Sequence, residues 1–282
     1  MATNLAKAYV QIVPSAEGMK GMIEQVMGKD LEEAGEKAGN SIASKIKNII
    51  VAAGIGKVVS QAFTEGGALE QSLGGIETLY KENADKMKAY AKEAYKTSGV
   101  SANAYMENVT SFSASLISSL KGDTSKAADI ANRAMQDMSD NSNKFGTNIQ
   151  DIQNAYQGFA KQNYTMLDNL KLGYGGTKEE MQRLLKDAQK LSGQKYDISN
   201  LADVYTAIGV IQDNLDITGT TAKEAATTFS GSFGSMKAAA QDFLGNVAIG
   251  GDVTGTLSNL ITTASTFLFD NAAPMALNIV QG

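Results

Sequence analysis

Acids are this chain's main stock of reactive groups. Its 282 residues hold 30 Asp and Glu, 25 Lys and Arg, and neither His nor Cys. Paired carboxylates can hydrolyse glycosidic bonds, so Glu65, Glu70 and Glu77 invite a peptidoglycan-cleaving reading. Their spacings of five and seven residues are those of an ordinary solvated helix face. Gly54-Ile55-Gly56-Lys57 suggests a phosphate loop. The Walker pattern asks for Gly at position 51 and Ser or Thr at position 58, where this chain has Val51 and Val58. Residues 140–146 (DNSNKFG) have the Asn and Asp density of a calcium loop. A loop begun at Asn141 needs an acid twelve places along, and Ile152 stands there; a hinge is the better reading. Without His the commonest general base and metal ligand is missing. Without Cys there is no disulfide, thiolate metal site or Cys nucleophile. The sequence therefore predicts no enzyme: no catalytic residue, no cofactor and no metal.

What remains is a set of elements built to pack. The apolar fraction is 43% and the only prolines are Pro14 and Pro274, which leaves the whole middle free to be helical. The net charge of −5 argues against sequence-specific nucleic-acid binding, which needs clustered Lys and Arg. The first residues lack the basic and apolar regions of a secretory signal, which predicts synthesis in a cytoplasm and export by assembly into something larger. The longest apolar run, 49–55, is far short of the ~20 residues that span a bilayer.

The predicted fold is all-α, a multi-helix bundle with Gly- and Asn-rich turns and a short partnerless strand at 7–13. Three regions are expected: an N-terminal arm and loose helix over 1–60, a helical domain over 61–250, and an apolar C-terminal segment over 251–282. Gly66-Gly67 and Gly74-Gly75 read as flexible turns. Ser101, Asp123 or Thr124, and Ser199 read as helix caps. Thr147 with Gln150, Thr177 with Glu180, and Thr221 with Glu224 read as capping boxes. The stretch 147–191 reads as an antiparallel helix pair broken by Gly173-Tyr174-Gly175-Gly176.

The candidate interaction residues lie late in the chain. Phe229, Phe233, Met236, Ala240, Phe243 and Val247 alternate at four and three, the seam of a coiled coil or tight bundle. That seam could be buried in its own bundle or packed against other copies. Phe267 and Leu268, just before Pro274 in a nearly uncharged tail, suggest a segment that wants cover. A membrane-active, channel-forming helical protein is the competing class, resting on the 49–56 segment and this tail.

The words of the central stretch carry more than their periodicity. The run NAYQGFAKQNYTMLDNLKLGYGGTKEEM at 154–181 resembles phage tail tape measure proteins of Gram-positive siphophages and prophages. So do EQSLGGIETLY at 70–80, TSFSASLISSLKGDTSKAADIANRAMQDMSD at 110–140, YDISNLADVYTAIGVI at 196–211 and TGTTAKEAATTFSGSFGSM at 218–236. The resemblance covers roughly 65–250, the N-terminal region of such proteins. It implies a structural virion protein inside the tail tube that fixes tube length and helps the genome across the host envelope. Its implied partners are other copies of itself, tail tube and tail-tip or distal tail proteins, and the host membrane.

Overall fold

The computed structural model describes residues 55–276, of which 81% are helical and none is in a strand. The expected strand at 7–13 and most of the loose N-terminal helix lie outside the described residues. The helices are α1 (Ile55–Tyr80), α2 (Ala84–Thr97), α3 (Ala102–Ser119), α4 (Thr124–Phe145), α5 (Ile149–Phe159), α6 (Lys178–Ser192), α7 (Leu201–Asn214), α8 (Thr220–Thr227), α9 (Phe229–Ile249) and α10 (Val253–Ser265). A π-helical segment, Thr266–Ala272, continues α10 toward Pro274.

Two apolar cores meet along α1 and α2. The larger gathers the C-terminal half of α1 with α2 to α7, and the smaller joins Ala62 and Tyr95 to α9 and α10. Helix α1 serves both because Ala62, Leu69, Ile76 and Tyr80, spaced by sevens and a four, form one buried line down it. Residues 251–276, expected as a separate tail, belong to the same assembly: Leu257, Leu260, Ile261 and Ala264 pack into the smaller core.

The larger core is built on tyrosines, and its rings form a chain. Tyr156 lies 5.0 Å from Tyr205 and 5.8 Å from Phe159, and Tyr205 stands edge-on to Phe112 at 5.4 Å. A buried tyrosine needs a partner for its hydroxyl. Tyr205 donates to the Tyr156 carbonyl at 2.8 Å, Tyr105 donates to Asn132 Oδ1 at 2.9 Å, and Tyr80 shares a 2.7 Å bond with Ser113.

Several local expectations change. Gly66-Gly67 and Gly74-Gly75 are not turns but lie inside α1. Residues 140–145 are not a hinge: they finish α4, which stops at Gly146 in the left-handed region at φ 63°. Asn148 rather than Thr147 caps α5, its side chain accepting from the Gln150 N–H, and Asn200 rather than Ser199 caps α7. Thr177 caps α6 as expected, accepting from the Glu180 N–H at 3.2 Å. Helices α5 and α6 do not form an antiparallel pair. Between them the chain makes a 3₁₀ turn, Leu167–Leu170, and α6 packs mainly on α7. The Gly173–Gly176 run is clamped onto the start of α6. Arg183 donates to the Gly173 carbonyl at 2.7 Å and lies over the Tyr174 ring, while Glu180 accepts from the Gly175 N–H at 3.0 Å. Gly176 passes so close to Thr165 that a Cβ there would sit 2.2 Å from its carbonyl oxygen.

Candidate functional site: the aromatic face of α9 and its buried anchor

The expected late helix divides at Thr228, whose side chain caps α9 by accepting from the Gly231 N–H. This break separates α8 from α9 and sets how α9 is rotated. The side of α9 buried against its neighbours mixes small and polar residues, Ser232, Ser235, Ala238, Ala239, Asp242 and Gly245, with Phe243 and Val247. Small residues let two helix backbones approach closely. A Cβ placed on Gly66 of α1 would lie 2.3 Å from the Ala248 Cβ, and one on Gly245 would lie 3.2 Å from Leu69.

The eight candidate interaction residues fall into two groups. Phe243 and Val247 are buried in the smaller core, with Met236 and Ala240 partly buried against it. Phe229 and Phe233 turn outward, with 42% and 47% of their surfaces exposed. Phe267 of the π-helical segment draws these two together, its ring 5.1 Å from Phe229 and 5.3 Å from Phe233. Leu268 is half-buried beside them in sequence. Four of the six seam positions are thus internal packing, and the other two belong to an exposed aromatic cluster.

Buried carboxylates anchor this region from within: Asp242, which sequence reasoning missed, and Asp140, which it placed in a hinge. Asp242 of α9 is buried and accepts the Ala102 N–H, at the start of α3, at 2.7 Å. Burial, reinforced by the like charge of Glu65, pushes its carboxyl up to about 7, against the pull of that N–H. Asp140 of α4 does for α8 what a local cap would do. Its two oxygens accept from the Gly219 N–H at 2.6 Å and the Thr221 N–H at 2.7 Å. The expected Thr221–Glu224 capping box is therefore replaced by a cap from another helix, and the Thr221 hydroxyl is buried without a hydrogen bond.

A third buried acid, Asp137, lies one turn before Asp140. Arg133 donates to Asp137 Oδ1 at 2.7 Å, to Asp213 Oδ1 at 2.6 Å and to Thr218 Oγ1 at 3.0 Å, tying α4 to the end of α7. Asp137 Oδ2 is buried with no hydrogen-bond partner. Burial pushes Asp137 up to about 7, although Arg133 opposes it.

Glu65, Glu70 and Glu77 do not converge. Glu65 accepts from Gln241 of α9 at 3.1 Å, Glu77 pairs with Lys88 at 2.7 Å, and Glu70 is exposed. Among the described residues no group of three or more acids could hold a metal ion, and no helix is long and apolar enough to cross a membrane. The arrangement binds and positions helices, and it presents aromatic rings at one end. Comparison of this chain with protein-family models, with curated proteins and with solved structures finds no match to any of them.

Proposed function

We propose that this chain is the N-terminal region of a phage tail tape measure protein. In this reading it is a structural component of the tail lumen that takes part in setting tail length, meets tube and tail-tip proteins, and assists genome delivery. The observation that carries the reading is the resemblance of residues 154–181 and their flanks. In support, the resembling span of roughly 65–250 falls almost wholly within the interlocked helices of 55–276.

The packing narrows how such a region would act. At a rise of ~1.5 Å per residue the described residues drawn out as one helix would reach about 330 Å. Folded as here, the longest straight element is α1, whose 26 residues extend about 39 Å. A bundle of this kind contributes little length per residue. We therefore assign it the part of a folded anchoring or delivery module rather than the measuring rod itself.

An in-frame deletion of α2 in a phage that carries this chain tests the reading. The expected result is tails of unchanged length that assemble poorly or fail to deliver DNA. Tails shortened by about 21 Å, the rise of 14 helical residues, would place the region in the rod. Purified tails that lack the chain altogether would overturn the proposal.

A further inference from the structure

We propose that Asp242 is a proton-operated latch that holds α9 and α10 against α1–α3 and loosens as pH rises toward neutrality. The geometry supplies every part. Helices α9 and α10 share a core with Ala62 of α1 and Tyr95 of α2, distinct from the larger one. They meet the rest through a closely spaced, small-residue contact with α1, in which Gly66 faces Ala248. Among the described residues the polar bonds across that boundary include Ala102 N–H to Asp242, Gln241 to Glu65, and an exposed 3.7 Å pair between Lys92 and Asp252.

Asp242 is the one buried charge among these. From α1 it faces the carboxylate of Glu65. From α2 it faces Tyr95, with Lys96 and Glu93 beyond it, and from α3 it faces the first N–H groups of the helix. Among the described residues no cation lies against it in the way Arg133 lies against Asp137. A protonated carboxyl keeps a carbonyl oxygen for the Ala102 N–H and sheds the charge that Glu65 repels. An ionised one must either stay buried beside a like charge or swing out with α9 into water.

The sign follows from linkage. Docked, Asp242 titrates at about 7; released into water, it titrates near the ordinary value of about 3.9. Docking is therefore strongest below about pH 4, weakens by up to about tenfold per pH unit as pH rises from 4 to 7, and levels off above that. The latch does not depend on where the chain assembles.

Hydrogen exchange by mass spectrometry on the full chain, corrected for the intrinsic pH dependence of exchange, reads this directly. Protection of α9 and α10 amides is expected to fall between pH 5 and pH 7 by up to about a hundredfold. In Asp242→Asn that fall should vanish. Glu65→Gln, which removes the like charge and leaves Asp242 in place, should shift the fall to lower pH. Wild-type protection that does not change with pH, or a pH dependence that survives in Asp242→Asn, would overturn the latch. Should Asp242→Asn not fold, an unshifted profile in Glu65→Gln would overturn it as well.

Discussion

Arg133 joins Asp137, Asp213 and Thr218, and its partners make it testable. Truncating it to Ala leaves Asp137 buried without its cation, a situation that costs about 3 kcal/mol or more. Asp137 can escape part of that cost by taking up a proton. Arg133→Ala should thus be more destabilising at pH 7.5 than at pH 5, as thermal unfolding at the two pH values would show. Asp137 itself is raised to about 7, so its protonated form adds stability that is complete below about pH 4 and is lost as pH rises through 7. Asp137→Asn should flatten the pH dependence of the melting curve over this window by an amount on the order of 1 kcal/mol per pH unit. The phenylalanines of α9 give a contrast in kind. Phe243→Ala removes a buried ring and should cost about 3 kcal/mol. Phe233→Ala, on the exposed aromatic cluster, should cost about 1 kcal/mol or less, and any larger loss in the assembly proposed above would then be a loss of contact rather than of folding.

Helix α1 carries glycines of two kinds, and substitution separates them. Gly66→Ala gains helix propensity but drives a Cβ into Ala248, and overpacking of this sort costs about 1–3 kcal/mol. Around Gly67 and Gly74 there is open space, so Gly67→Ala and Gly74→Ala should raise stability by up to about 1 kcal/mol each. Denaturant titration of the three variants would show opposite signs within one helix. Asp140→Ala should cost about 1–2 kcal/mol by uncapping α8. These elements also show what could be read in the sequence. Caps whose partners lie within three residues, at Ser101, Asp123 and Thr177, were visible because the whole interaction is local. Asp140 and Asp242 were not, because the N–H groups they accept from lie 79 and 140 residues away. The glycines of α1 misled for the same reason: the type that permits a turn also permits close contact, and only the distant Ala248 decides between them. On α9 the large residues suggested the seam, while the side that packs combines Phe243 and Val247 of that seam with Ser, Ala, Asp and Gly.

At the scale of the molecule, one helix serves two cores, and the two ends of the described chain are held to each other. Phe229, Phe233 and Phe267 then sit on the part of the molecule that is latched rather than on the larger core. If the α2 deletion leaves tail length unchanged, the aromatic cluster is the first surface to substitute in search of the assembly partner.

The contact between Gly66 and Ala248 also sets a schedule for synthesis. The two residues are separated by 182 positions, which a ribosome adding roughly 5–20 residues per second covers in about ten to forty seconds. Through that interval α2 to α7 can assemble on the C-terminal half of α1, while the glycine side of its other half waits uncovered. Helices α9 and α10 emerge long after the helix they close, so a nascent chain stopped before Phe229 leaves that flank of α1 without its α9 partner. A chaperone holding that flank would have to let go only once α9 had emerged.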